Sequence, residues 1–171
     1  MKLIEGMKKI KELQEKADDY RKKVRQFHVH LSVETPTYGD RQRAQITEWI
    51  QGHEGLVKEI LHLRVSIQRT NLNTLVDIEL DGKRVTKSIA EWIHRRRDLA
   101  KLEMEMWEQL NDKNLKEGYT TTSTQEKIDV KIIRYYDPQQ KDKAVASLRA
   151  EPNIIDRTLE VINATTDLIE K

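Results

Sequence analysis

The stretch Val76-Asp77-Ile78-Glu79-Leu80-Asp81-Gly82-Lys83-Arg84-Val85-Thr86 decides how the chain is organised. Apolar and acidic residues alternate through Leu80, as in a strand with one covered face. Asp81-Gly82 favours a type I′ turn, because both central residues of that turn need φ > 0. Lys83 to Thr86 then returns as a second strand. A lone two-stranded ribbon is marginal in water. The hairpin must therefore lean on helices or pair with another chain.

Helical patterns flank it on both sides. Upstream, a helix over about Arg41 to Leu72 places Trp49, Leu56, Ile60, Leu63 and Ile67 on one side. Gly52 and Gly55 lie inside it and cost about 1 kcal/mol each relative to Ala. They either admit a close helix crossing or weaken the helix locally. Downstream, Ser88-Ile89-Ala90-Glu91 fits a capping box. It opens a third helix to about Leu115, with Ile89, Trp92, Leu99, Leu102, Met106 and Leu110 on the apolar side.

Farther out, Ile10, Leu13, Ala17, Tyr20, Val24, Phe27 and Leu31 recur at alternating spacings of three and four. This heptad seam predicts a first helix with a narrow apolar stripe that must be covered. Its partner is another helix of this chain or the same helix of a second chain. Thr35-Pro36-Thr37-Tyr38-Gly39-Asp40 reads as a turn, since Pro36 disfavours helix at the preceding residue. Gly118 to Gln125 reads as a polar loop and Ile128 to Tyr136 as a strand. Asp137-Pro138 reads as N-cap and first helical residue. That helix is predicted to stop at Glu151-Pro152, and a last helix carries Ile155, Leu159 and Ile162 on one face.

The sum is a mainly α fold: long antiparallel helices, a β-hairpin between helices 2 and 3, and a C-terminal strand plus two helices. The expected division is an oligomerisation arm over 1–34, a helix–hairpin–helix core over 41–115 and a C-terminal part over 126–171. Composition agrees. Among 171 residues, 35% are charged, 5% are aromatic, and Gly and Pro number only six and three. Few turn-formers with many charges point to long helices with wide solvated faces. With no cysteine, disulfides, thiolate zinc sites and cysteine nucleophiles are excluded. Thirty-one basic residues against 29 acidic ones leave a net charge of +2, so no broad field for nucleic acid exists. No apolar run approaches the roughly 20 residues that span a bilayer. Charged sequence follows Met1 to Gly6, unlike a secretory signal. A cytoplasmic location is expected, with no membrane partner.

Catalytic motifs are missing. No phosphate-cradling glycine loop or nucleophile elbow occurs. His53-Glu54 starts like a zincin helix, but Val57 stands where the second ligand belongs. His28 and His30 diverge by about 200° on a helix and cannot share a metal. Glu59-x-x-His62 and Glu91-x-x-His94 match the di-iron carboxylate pattern. At about 100° per residue, however, both pairs turn away from the apolar sides. No metal and no cofactor are expected. His94-Arg95-Arg96-Arg97 and Arg21-Lys22-Lys23-Arg25 read as solvated faces.

The same wheel brings Arg96 and Glu103 onto the apolar side of the third helix. It brings Arg64, Asn71 and Thr74 onto the side of the second that carries Ile60 and Ile67, with Thr70 at its border. Buried charges need partners. These groups therefore form a structural polar layer, line a pocket for an anion or nucleotide-like ligand, or face water.

Ile67-Gln68-Arg69-Thr70-Asn71, the hairpin with Asp81-Gly82-Lys83, and the opening Ser88-Ile89-Ala90-Glu91 resemble a small helical family of bacteria and phages, often labelled septicolysin-like. The resemblance covers roughly residues 56 to 115, with a fainter echo over Ile128 to Asp167. It implies long helices, homo-oligomerisation and no established enzymatic role, with Arg69, Thr70 and Asn71 carrying the family motif. The expectation that follows is a non-catalytic homo-oligomer holding a small anionic, nucleotide-like ligand. Arg64, Arg69 and Arg96 would contact the anion; Thr70, Asn71 and Thr74 would add hydrogen bonds. In a phage setting it would act as a sponge for a host signalling nucleotide. The alternative is a structural or protein-interaction oligomer without a small ligand.

Overall fold

A computed structural model describes residues 1–170 and is mainly α. The elements run α1 (Leu3–Phe27), a 3-10 turn (Gly39–Arg41), α2 (Gln42–Asn73), β1 (Leu75–Leu80), β2 (Lys83–Ser88), α3 (Ile89–His94), a π-helical segment (Arg95–Leu99), α4 (Ala100–Glu108), β3 (Gly118–Thr121), β4 (Lys127–Val130) and α5 (Pro138–Thr165). The chain divides into two compact units. One holds residues 1–75, 88–90 and the chain from Leu159; the other holds 76–87 and 91–158.

In the first unit α1 and α2 pack antiparallel. Phe27 meets Trp49 at one end, Gly52 abuts Tyr20, and Gly6 lies near Ile67 at the other. Leu13 and Ala17 of the heptad seam are buried, and Ile10, Tyr20, Val24 and Phe27 are half-buried. Leu31 is exposed because the helix has already ended. The seam is thus covered by α2 of the same chain. Residues 1–34 do not stand apart as an arm, because their apolar stripe is the inner wall of a helical hairpin.

The loop between the helices is stapled by aromatics. Tyr38 packs edge-on against both Phe27 and Trp49, at centroid distances of 5.5 Å each. Gln42 Nε2 donates to the Phe27 carbonyl at 2.7 Å, satisfying one of the orphan acceptors at the end of α1. At the other end Leu3 N donates to Thr166 O and Leu168 N to Met1 O. Leu3, Ile89, Leu159 and Leu168 are buried in this unit.

In the second unit the hairpin forms as expected. Asp81 and Gly82 have φ of 55° and 72°, matching a type I′ turn. Val76 and Ile78 are buried, while Asp77 on the other face pairs with Arg84 and Thr86. Trp92 is fully buried, and its Nε1 donates to the Val76 carbonyl at 3.0 Å.

The C-terminal part departs from the sequence reading. Gly118–Thr121, within the stretch expected as a polar loop, is a strand paired antiparallel with Lys127–Val130, with Gly118 opposite Val130 and Thr121 opposite Lys127. Its aromatic and Thr residues favour strand. The strand expected to reach Tyr136 ends at Val130. Beyond it Arg134 reaches Asp112 instead, at 2.7 Å through Nε. Asp137 does cap α5, accepting from Gln139 N at 2.9 Å. The break expected at Pro152 does not occur: α5 continues through it as one helix. An internal proline costs about 3 kcal/mol. Glu151 beside it is buried, as are Ile155 and Leu159 farther along, so packing on both sides holds the helix together.

Candidate functional site

The residues expected to form a polar seam lie in two places. On α2 the buried line is Trp49, Leu63 and Thr70, with Leu56 half-buried in the same heptad series and Ser66 buried beside it. This strict seven-residue repeat sets the centre of the covered face. Arg64 stands one position beyond the line and is exposed. That corrects its inward placement, which rested on Ile60 and Ile67; both are half-buried flanks of the seam. Arg69, Asn71 and Thr74 are half-buried.

Thr70 is the centre of the first unit's polar contacts. It has no exposed surface. Its hydroxyl donates to the Ser66 carbonyl at 2.8 Å and accepts from Ile169 N at 2.9 Å. The hydroxyl thus ties the last residues of the chain to the inner face of α2. Both of its roles are satisfied by backbone.

The second unit carries a charged cluster. Arg95, not Arg96, turns inward: its side chain is 19% exposed. Its guanidinium grips two carboxylates. Nη2 donates to Glu103 Oε2 at 2.8 Å and to Glu151 Oε2 at 3.0 Å, and the other nitrogens add a further bond to each. A planar fork of donors suits such double bidentate contact. Hydrogen bonds to Glu103 first, and then Glu151, raise the Arg95 pKa further above its ordinary value. The bond from Arg95 holds the Glu103 carboxyl below the usual carboxylate range. Arg96 is exposed and pairs with Asp156.

The π-helical segment explains why the apolar side beyond it is displaced from the expected one. A π turn adds one residue to the helical repeat and rotates everything after it by roughly 100°. Buried positions therefore pass from Trp92 to Ala100, not Leu99, and then to half-buried Met104 and Trp107. Leu99, Leu102 and Met106, expected inside, are 43%, 58% and 72% exposed. The expected inward placement of Glu103 fails for the same reason; Arg96, near the start of the segment, is exposed and pairs with Asp156. Sequence reasoning does not single out Arg95, Glu151 or Ser66 as site residues. Arg95 lies in a basic run that reads as a solvated face, and Glu151 before a proline reads as a helix end.

Of the six residues expected to bind a ligand, Arg64, Arg69, Thr70, Asn71 and Thr74 belong to the first unit and Arg96 to the second. Among the described residues, no buried side-chain polar atom lacks a hydrogen-bond partner. Two sizeable depressions lie elsewhere. One of about 420 Å³ sits beside Phe27, His28, Pro36 and Thr47. One of about 350 Å³ lies between Leu110 and Leu115 and the segment Ile132 to Tyr136. None of the six residues lines either one. No group of three or more metal-ligating side chains occurs among the described residues. No described helix is long and apolar enough to cross a membrane. No family profile, curated protein or solved structure matches the chain.

Proposed function

We propose that this protein is a non-catalytic helical interaction protein that acts through its own assembly, without a small ligand. The observation that supports this reading is the use already made of the inward polar groups. Arg95 is committed to Glu103 and Glu151, and the Thr70 hydroxyl is committed to two backbone groups. A pocket for an anion needs donors that are free to receive it. In this reading the polar contacts fix register and the docking of the C-terminal segment. The resemblance to the septicolysin-like family supports the same view through its homo-oligomeric character.

The rival reading, a nucleotide-like anion held as in a sponge, draws on Arg64 and Arg69. Neither has an ion-pair partner among the described residues. Thermal unfolding against a panel of mono-, di- and cyclic nucleotides and inorganic phosphate separates the two. A ligand at 100 times its Kd stabilises by about 2.7 kcal/mol and shifts the melting temperature by several degrees. No shift is expected. A saturable shift that Arg64→Ala or Arg69→Ala removes would overturn the assembly reading in favour of the sponge.

A further inference from the structure

One face of α2 has no cover. Ile50, Val57, Leu61, Val65 and Leu72 recur at spacings of seven, four, four and seven. They are 46%, 47%, 62%, 41% and 65% exposed. The row lies roughly 150° round the helix from the buried line through Trp49, Leu63 and Thr70. Beside it, Tyr20, Arg21 and Val24 of α1 and Ile50, His53 and Glu54 of α2 line a groove of about 300 Å³. A ridge and a groove thus run side by side on one helical hairpin.

We infer that this face docks a second copy of the chain through an antiparallel pairing of the two α2 helices. The inference rests on the assembly reading above and names its surface. Charge complementarity sets the direction. Glu54 and Arg64 sit within the row, both exposed and neither ion-paired among the described residues. A parallel pairing sets Glu54 against Glu54 and Arg64 against Arg64, which repel. An antiparallel pairing about a two-fold axis at Glu59 reverses this. Glu54 and Arg64 each stand five residues from that point, so each faces the other's counterpart, twice by symmetry. Val57 and Leu61, two residues either side, meet at the centre, and Ile46 meets Leu72 at the ends. Arg64, Val65 and Gln68 of the second copy then face the groove at Ile50 to Glu54.

Area agrees with this occupant. The five exposed aliphatic residues offer roughly 500 Å², and a standard interface buries about 800 Å² per partner, some 60% of it apolar.

Sedimentation equilibrium on the full chain tests the pairing. The wild type should associate reversibly. Glu54→Arg places like charges opposite each other at both symmetric sites and should raise the dissociation constant about tenfold. The double variant E54R/R64E should restore it. Both positions are exposed, so circular dichroism should show unchanged helix content. The chain has no native cysteine. Mixed Val57→Cys and Leu61→Cys chains should therefore form a disulfide-linked heterodimer more readily than either forms alone. Association untouched by E54R and by Leu61→Asp would overturn this face while leaving the assembly reading in place. Loss with E54R that E54R/R64E does not rescue would overturn the antiparallel register. A wild type that stays monomeric would overturn both the pairing and the assembly reading it rests on.

Discussion

The two units solve the same problem with opposite materials. In the first, the helical hairpin closes over Leu13, Ala17, Trp49 and Leu63, with an aromatic staple of Phe27, Tyr38 and Trp49 at one end. In the second, Arg95 of the π-helical segment is held between the buried Glu151 and the exposed Glu103. An apolar seam tolerates small slips, because neighbouring aliphatic side chains of similar volume replace one another at modest cost. A buried ion pair such as Arg95 with Glu151 tolerates none: displacing one member leaves an uncompensated charge. The hairpin thus draws its stability from area, and the charged cluster adds little net stability but fixes which residue of α3 and α4 meets α5.

The largest effect that tests this contrast is at Glu151. Its side chain is 6% exposed, and its removal leaves Arg95 half-satisfied in a desolvated place. Glu151→Ala should lower the unfolding free energy by about 3 kcal/mol in chemical denaturation. Replacing the pair together, as Arg95→Met with Glu151→Leu, should be neutral or stabilising, since the mutual attraction hardly offsets desolvation. If the double variant is as damaged as the single one, the cluster contributes stability and not register. Acid sharpens the point. The folded Glu103 carboxyl titrates below its ordinary value because of the bond from Arg95. Its stabilisation is present above the unfolded value of about 4.3 and is lost as pH falls through the lower folded value. The wild type should therefore lose more unfolding free energy than Arg95→Met as pH falls below about 4.3, read by chemical denaturation at each pH.

A smaller effect is expected at Thr70, a polar knot in the apolar seam. Thr70→Val keeps the shape and removes both hydrogen bonds of the hydroxyl. Ile169 N is left without its acceptor, a cost of about 1–2 kcal/mol. Hydrogen exchange should show the loss concentrated in residues 167 to 170. A uniform loss through α2 would mean that Thr70 supports the helix itself and not the terminal segment.

What could be read in advance follows the same division. The helical hairpin, the Asp81-Gly82 turn and the Asp137 cap each depend on neighbours close in sequence or on a regular repeat, so their residues announce them. The shift of the buried positions from Leu99 to Ala100 depends on one extra residue in a helical turn, and no residue type signals a π segment. Pro152 is the converse case. Its local preference is for a break, and distant packing at Glu151, Ile155 and Leu159 overrides it. Arg64 failed on a finer point, since a seam centred on Leu63 and one centred on Ile60 and Ile67 differ by only a fraction of a turn.

The smallest effect separates the two glycines of α2. Sequence leaves open whether Gly52 and Gly55 admit a close crossing or only loosen the helix, and the structure assigns one answer to each. A Cβ at Gly52 would lie 2.9 Å from Tyr20 Cε2 and 3.1 Å from Cζ. Tyr20 is half-buried in the seam, so its ring must shift to admit that Cβ. At Gly55 a Cβ would meet nothing within 4 Å. Gly55→Ala should therefore stabilise by about 0.5–1 kcal/mol, the helix-propensity gain alone. Gly52→Ala has the same propensity gain, but overpacking costs typically 1–3 kcal/mol, so its net effect should be destabilising. Opposite signs for one substitution, three residues apart, would mark the α1–α2 crossing at Gly52. Equal gains at both would mean that Tyr20 moves freely and the crossing is looser than its contacts imply.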